Sequence, residues 1–209
     1  MIFHHIPSTN GRNFCINTTH IIETEFLKRG IQYGDILKAR GHRPVSPVYE
    51  GSTNYIIFRE PVLRTISHWC HLMPYNPPTK EAIFNHLVEN PDHYLVNYQT
   101  KFVCYDKEII RVSDSYEGFE ADIDLAKERL SKVSYVFDME NLNYGKFRSI
   151  LYDHFDLTPT FEWKDYNPIG TNTLVKEIYG QLTSSEKSEL EGLLKYDMEL
   201  YYTTKYSEI

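Results

Sequence analysis

Two polar segments of the chain carry side chains that could hold an anion. The first is Pro7–Asn13, which contains Gly11 and Arg12, and the second begins at Arg59 and continues through Ser67. Free backbone N–H groups at the start of a helix, guanidinium groups and hydroxyl groups are common protein ligands of phosphate. These segments therefore predict an anion site. An ordinary turn at the first segment and a structural ion pair of Arg59 at the second remain open as alternatives.

The elements that must position these segments alternate between strands and helices. Short apolar runs at Met1–Ile6, Tyr55–Phe58 and Tyr135–Phe137 predict buried strands, and Tyr33–Leu37 could form another. This alternation predicts an α/β fold with a mostly parallel central sheet and flanking helices on both of its faces. Such sheets bind ligands at the carboxyl ends of their strands. Both polar segments follow a predicted strand, which supports the anion site.

Local signals predict where the helices lie. Pro61 suits the first turn of one helix, Thr79 can cap another over 82–88, and Thr183–Glu186 matches a capping box that opens a long last helix through Leu200. Further helices are predicted over 14–27, over 122–133, and from 141 or 143 to 155. The segment from 91 to 112 has no clear assignment.

Composition limits the class of protein. The chain has 209 residues and a net charge of −7, which suits one domain over 1–209 and argues against a dedicated nucleic-acid binder. No apolar run approaches the roughly 18 residues that span a bilayer, and no secretory signal is recognised. Three Cys without paired spacing favour reduced thiols. The expected compartment is therefore the cytoplasm, and the oligomeric state stays open.

Five segments, taken in order, match motifs of a known family. They are His5–Phe14, Gly41-His42, Phe58–Trp69, Asn97–Lys101 and Asp197–Tyr201. The first resembles H-I-P-K-T-G-G-T, the second a Gly-His pair, the third R-[DE]-P-x-x-R-x-x-S-x-[YW], the fourth N-x-Q-T-[RK] and the fifth D-x-x-L-Y. These are motifs of the carbohydrate sulfotransferases, and the chain resembles in particular their heparan sulfate 2-O-sulfotransferase-like branch.

The resemblance implies a P-loop-like nucleotide-binding sulfotransferase fold. It also implies transfer of a sulfuryl group from 3′-phosphoadenosine 5′-phosphosulfate (PAPS) to a hydroxyl of a saccharide or another small acceptor. Adenosine 3′,5′-bisphosphate (PAP) would be the product of the donor, and no metal is expected. Arg59 and Ser67 would hold the 3′-phosphate. The 5′-phosphosulfate would lie on the first segment, with the expected contacts at Ser8, Thr9, Asn10, Gly11, Arg12, Asn13 and Phe14.

The first segment departs from the family motif at residues that matter for catalysis. The family's loop Lys, which stabilises the leaving group, is Ser8, and its first loop Gly is Asn10. Arg12 is our candidate for the missing catalytic charge. His42 is our candidate general base, because an imidazole with an ordinary pKa of about 6.5 can accept a proton near neutrality. A loop histidine with a packing role is the alternative for His42.

Other functions remain open. The missing loop Lys allows a catalytically impaired module that binds PAPS or PAP without transferring the sulfuryl group. A phosphotransferase is less favoured, because the chain has no G-x-x-x-x-G-K-[ST] phosphate loop. His68, Cys70 and His71 resemble metal ligands in type, but the sequence has no further ligand cluster beside them, so a zinc site is not expected.

Overall fold

The computed structural model describes residues 2–4, 6, 53–72, 78–105, 120–142, 149 and 171–207. The helix predicted over 14–27, the strand predicted over Tyr33–Leu37 and most of the helix predicted to reach 155 lie outside the described residues.

The described strands form one parallel sheet. They are β1 (Ile2–His4), β2 (Asn54–Phe58) and β3 (Tyr135–Asp138), in the order β1-β2-β3. Ile56 of the central strand lies between His4 and Val136. All of β2 is buried, which explains why Tyr55–Phe58 is a continuous apolar run rather than an alternating one. The predicted mixed α/β class and the parallel sheet are confirmed.

Seven α-helices are described with both of their ends. They are α1 (Pro61–Leu72), α2 (Lys80–Glu89), α3 (Tyr98–Cys104), α4 (Ile123–Leu130), α5 (Thr171–Gln181), α6 (Ser184–Leu193) and α7 (Lys195–Thr203). Pro61 begins α1 as predicted, and Thr79 caps α2 by accepting a hydrogen bond from the N–H of Ala82 (3.2 Å). Thr183 and Glu186 form the predicted capping box of α6. The sequence patterns did not predict α3 or α5.

The end of the chain differs from the prediction of one long helix. Instead, α6 and α7 are separate helices with Leu194 between them. The side chain of Asn97 lies at this break. Its Oδ1 accepts hydrogen bonds from the N–H groups of Tyr196 (2.9 Å) and Asp197 (3.2 Å), and its Nδ2 donates to the carbonyl of Leu193 (3.3 Å). A distant side chain therefore satisfies backbone groups at the break, and apolar periodicity cannot reveal this.

The helices pack on one another around a shared apolar core. Helix α1 contacts α5, α6 and α7, and α3 contacts α4 and α7. The core includes Ile56 of β2, Val62 of α1, Phe102 of α3 and Leu200 of α7, all of them fully buried. Among the described helices, none combines the length and the apolar character needed to cross a membrane.

Candidate functional site

Arg59 lies directly beyond the carboxyl end of β2 and is only 2% exposed. The register between β2 and β3 ends one residue earlier, where Phe58 pairs with Asp138. The side-chain amide of Gln99 forms the hydrogen bonds with the Arg59 backbone that a neighbouring strand would otherwise form. Its Oε1 accepts a hydrogen bond from the N–H of Arg59 (3.1 Å), and its Nε2 donates to the Arg59 carbonyl (2.8 Å). One side chain of α3 therefore fixes both backbone groups of Arg59.

The guanidinium of Arg59 is held by Glu140. Arg59 Nε donates to Glu140 Oε1 at 3.0 Å, and the Glu140 side chain is 28% exposed. Glu140 belongs to the 3-10 turn Met139–Asn141 after β3, where the carboxylate of Asp138 accepts a hydrogen bond from the Glu140 N–H (3.1 Å). Asp138 also accepts one from the hydroxyl of Tyr201 in α7 (2.7 Å). The structural ion pair that the sequence left open for Arg59 is therefore present.

The starts of α3 and α7 are joined by a buried carboxylate. Asp197 is 1% exposed and accepts hydrogen bonds from the N–H of Gln99 (3.1 Å), the N–H of Thr100 (2.7 Å) and the hydroxyl of Thr100 (2.8 Å). Burial raises the pKa of Asp197, while the hydrogen bonds from Thr100 and Gln99 oppose that rise. These contacts fix the position of Gln99 and, through it, that of Arg59.

The second arginine of the same sequence motif has an interior position. Arg64 of α1 is fully buried, and its guanidinium carbon lies 3.8 Å from the centroid of the Tyr98 ring in α3. The charge of Arg64 also lowers the pKa of Asp197 against the effect of burial. Arg64 therefore lies in the interface between α1 and α3.

Segments that are distant in sequence are linked to Arg59 by hydrogen bonds, either directly or through intermediate residues. Gln99 is 40 positions from Arg59, and Asp197 is 98 positions from Gln99. Asp197 and Tyr201 are four residues apart in α7, so they project from one face of that helix. Asp197 reaches the backbone of Arg59 through Gln99, and Tyr201 reaches its side chain through Asp138 and Glu140. The buried arginine is thus held from two directions.

Glu60 and Ser67 are polar side chains near the start of α1, and their contacts decide which groups there are available to an anion. Ser67 lies in the second turn of α1 and is 7% exposed. The carboxylate of Glu60 accepts hydrogen bonds from the N–H groups of Val62 (3.2 Å) and Leu63 (2.7 Å). Burial, with smaller effects of nearby carboxylates, raises the pKa of Glu60. Because Glu60 already caps this helix, an anion here would depend on the side chains of Arg59 and Ser67.

The remaining predicted site residues lie outside the described residues. They are His42 and the loop residues Ser8, Thr9, Asn10, Gly11, Arg12, Asn13 and Phe14. The strand that precedes the loop is described, and its parallel pairing with β2 makes it end at the same edge of the sheet as Arg59. His4 in that strand is buried, and its Nε2 lies 3.0 Å from Asn54 Oδ1.

The residues that resemble metal ligands in type, His68, Cys70 and His71, differ in their exposure to solvent. His68 and Cys70 are buried, whereas His71 is exposed. Within the described ranges, no group of three or more His, Cys, Asp or Glu side chains is arranged to hold a metal ion.

A group of histidine and tryptophan rings was not predicted from the sequence. The Trp69 ring centroid lies 4.9 Å from that of His86 and 5.9 Å from that of His93, and the two histidine centroids are 4.9 Å apart. Burial lowers the pKa of His93, and the neighbouring His86 and Lys101 lower it further. The rings come from α1, from α2 and from the loop after α2, so no single stretch of sequence indicates the cluster.

A cavity of about 890 Å³ lies at the opposite end of β3 from Arg59. Its lining includes Ser134 and Ser207, but both hydroxyl groups already serve the fold. Ser134 Oγ accepts a hydrogen bond from the N–H of Asn54 (3.1 Å), and Ser207 Oγ accepts one from the N–H of Val136 (3.1 Å). Ligands of parallel sheets bind at the carboxyl ends of strands, so the region around Arg59 is the better candidate site.

Glu140 and Gln99 are the site residues that sequence reasoning missed. Gln99 lies in a segment that was noted for its resemblance but had no role, and Glu140 follows the predicted strand at Tyr135–Phe137. The position of Glu140 just after a parallel strand was the one available signal.

Comparisons of the chain with protein-family models, with curated proteins and with solved structures find no match.

Proposed function

We propose that the chain is a PAPS-dependent sulfotransferase with a P-loop-like nucleotide-binding fold. Arg59 and Ser67 bind the 3′-phosphate of the donor, and Ser8–Phe14 binds the 5′-phosphosulfate. The acceptor is a hydroxyl group of a saccharide or another small molecule. The resemblance of five sequence segments to the carbohydrate sulfotransferases supports this assignment.

One structural observation carries the proposal. Three of the five segments are described in full. Gln99 of the fourth segment contacts Arg59 of the third, beyond the carboxyl end of a parallel strand, and Asp197 of the fifth segment contacts Gln99. Gln99 holds the backbone of Arg59, and Glu140 holds its side chain. A guanidinium fixed in this way is well suited to recognise a phosphate group.

The donor explains why two separate anion-binding segments are needed. PAPS carries a phosphate on its 3′-oxygen and a phosphosulfate on its 5′-oxygen, so its charges lie at two ends. β1 and β2 are parallel and adjacent, so the chain leaves both strands at one edge of the sheet. Two neighbouring loops can therefore bind the two ends of one nucleotide.

The proposed reaction is an in-line displacement at sulfur. The acceptor oxygen forms a bond to sulfur while the bond from sulfur to the bridging oxygen breaks, and PAP leaves with that electron pair. The acceptor proton passes to a base, for which His42 is our candidate. Arg12 stabilises the charge that develops on the leaving phosphate oxygen. Both residues lie outside the described residues, so these roles rest on the sequence.

Calorimetry with PAP, ADP and AMP tests the nucleotide site. We expect the chain to bind PAP more tightly than ADP or AMP, and we expect Arg59→Ala to abolish that preference. Arg129→Ala is the matched control, because Arg129 is also buried but donates to the carbonyls of Val103 and Tyr105. The control should lose stability and keep the preference for PAP.

A milder variant still tests the site if Arg59→Ala fails to fold. Ser67→Ala removes only one hydroxyl group and should weaken PAP binding while leaving AMP binding unchanged. Equal affinity of the wild-type chain for PAP and ADP would contradict the proposed function.

A nucleotide-binding module without catalysis is the second candidate, and Ser8 at the position of the family's loop Lys is the observation that favours it. A turnover assay with radiolabelled PAPS and a panel of saccharide acceptors separates the two candidates. PAP binding without transfer of the label to any acceptor, and without hydrolysis of PAPS, would support the module.

A further inference from the structure

We infer that Gln99 is a positioning residue for Arg59, and that its carboxamide gives the site its preference for a 3′-phosphate. This inference rests on the proposed function, because it assigns a role in the binding of PAPS. Gln99 itself does not contact the nucleotide in this assignment. It acts by fixing the peptide from which the guanidinium extends.

The chemistry of the contact accounts for a glutamine at this position. The backbone of Arg59 presents one donor and one acceptor to α3, and a carboxamide can satisfy both at once. Oε1 of Gln99 accepts from the N–H at 3.1 Å, and Nε2 donates to the carbonyl at 2.8 Å. An ionised carboxylate can satisfy only the N–H, and an apolar side chain can satisfy neither group.

Gln99 is itself held in place at its backbone. Its N–H donates to Asp197 Oδ2 (3.1 Å), and the next residue, Thr100, donates twice to Asp197 Oδ1. Every residue of α3 is buried. The side chain that contacts Arg59 therefore extends from a rigid helix, which is what a preorganised binding site requires.

Two fixed points then determine where the guanidinium lies. Gln99 sets the backbone of Arg59, and Glu140 sets the position of its Nε. Without the hydrogen bonds from Gln99, the peptide of Arg59 can shift, while the ion pair between Arg59 and Glu140 remains. A displacement of about 1 Å at a binding group can cost about two orders of magnitude in function. The loss should therefore concern the 3′-phosphate rather than the nucleotide as a whole.

The principal experiment compares Gln99→Met with Arg129→Met by calorimetry. Methionine has nearly the volume of glutamine but cannot form either hydrogen bond with Arg59. Arg129→Met removes the hydrogen bonds of another buried side chain, those to the carbonyls of Val103 and Tyr105, and leaves the contact between Gln99 and Arg59 in place. We expect Gln99→Met to reduce the ratio of PAP affinity to AMP affinity by about tenfold or more. Arg129→Met should lower the melting temperature and leave the ratio within about threefold of the wild-type value.

A second variant keeps the inference testable if Gln99→Met fails to fold. Gln99→Glu loses the donor when it is ionised, but a protonated carboxylic acid can again accept from the N–H and donate to the carbonyl. Arg59 contacts the side chain at position 99 directly, and Asp197 accepts a hydrogen bond from its N–H. The next charged groups are Arg64 and Lys101, which interact with Asp197, and Glu140, which pairs with Arg59 and interacts with Glu60. Relative to wild type at each pH, its ratio of PAP to AMP affinity should rise as the pH is lowered from 8 towards 5.5.

The possible outcomes are distinct. If the wild-type chain binds PAP and AMP with equal affinity, the proposed function is contradicted, and this inference is contradicted with it. A wild-type preference for PAP that depends on Arg59 but survives both Gln99 variants overturns this inference alone. An equal loss of PAP and AMP affinity in Gln99→Met would also overturn it, because that pattern indicates a general structural defect.

Discussion

Asn97 caps the start of α7, and Asp197 of α7 in turn caps the start of α3, next to Asn97. Asn97 precedes α3, and its Oδ1 accepts a hydrogen bond from the N–H of Asp197 in α7 (3.2 Å). Asp197 returns the contact by accepting hydrogen bonds from the N–H groups of Gln99 and Thr100 in α3. Free N–H groups at two helix starts are thereby satisfied inside the protein. Arg59 depends on this arrangement, because Gln99 holds its backbone.

The first prediction concerns Asn97, which has a left-handed backbone with a φ of 53°. Asn97→Ala loses the cap of α7 and places an alanine in a left-handed conformation, which is unfavourable for a residue with a Cβ atom. We expect a loss of about 2–3 kcal/mol in the free energy of unfolding. Asn97→Gly loses the same cap without the steric penalty and should cost about 1 kcal/mol less. Urea unfolding measures both variants, and equal losses would contradict the assigned role of the backbone.

The second prediction concerns the buried carboxylate. Asp197→Asn keeps one acceptor oxygen but places an amide donor against an N–H group. We expect it to lower the free energy of unfolding by about 1–3 kcal/mol. Asp124→Asn is the control, because Asp124 is exposed in the first turn of α4 and should cost less than about 0.5 kcal/mol. If Asp197→Asn and Asp124→Asn had similar midpoints of thermal unfolding, the result would show that Asp197 does not stabilise the contact between α3 and α7.

Local signals predicted much of the fold. The apolar run at Tyr55–Phe58, the proline that begins α1 and the capping box of α6 act over a few residues, so one stretch of sequence contains the whole signal. The break at Leu194 is different. It depends on a hydrogen bond from Asn97 to Leu193, and those residues are 96 positions apart. Periodicity predicts one helix there because Leu190, Leu193 and Leu194 still suit a continuous apolar side.

The candidate site was predictable only in part. Arg59 could be placed at the end of a strand, because a proline and a helix follow it. Its two partners could not be predicted, since Glu140 and Gln99 approach from other elements. Nothing in the type of either residue distinguishes it from an ordinary polar residue. Three-dimensional packing supplies that information.

The third prediction uses the ion pair between α2 and α6. The backbone N–H of Thr183, followed by Lys80, lowers the pKa of Glu186 to about 2. An unfolded glutamate has a pKa of about 4.3, so the unfolded chain takes up this proton first as the pH falls. The stabilisation is present above about pH 4.3 and is lost between that pH and about 2.

Glu186→Gln should remove that part of the acid dependence, and urea unfolding across this pH range measures it. Glu189→Gln, at an exposed position of the same helix, is the matched control and should retain the wild-type slope. A wild-type slope in Glu186→Gln would mean that this carboxylate does not stabilise the fold.

The fourth prediction concerns His93, whose pKa burial lowers. The charged or titratable neighbours that influence it are His86 and Lys101. An unfolded histidine has a pKa of about 6.5. The unfolded chain therefore binds the proton more readily, and stability should decrease as the pH falls below about 6.5.

His93→Asn tests this effect, because an asparagine oxygen can replace Nδ1 as acceptor for the N–H of Leu95. Its free energy of unfolding should decrease less than that of the wild type between pH 7.5 and 5. His71→Asn, at an exposed position, should follow the wild type. A parallel decrease in wild type and His93→Asn would exclude His93 as a source of acid sensitivity.

Contact between Arg59 and the 3′-phosphate is the central claim, and the Nε–H resonance of Arg59 tests it most directly. This group is buried and donates to Glu140, so its signal can be followed by NMR in a labelled chain and assigned with Arg59→Lys. Titration with PAP should shift the resonance to saturation at the calorimetric affinity, whereas AMP should leave it in place. An unchanged Arg59 signal under saturating PAP, or the same shift with AMP, would contradict the assignment of Arg59 to the 3′-phosphate.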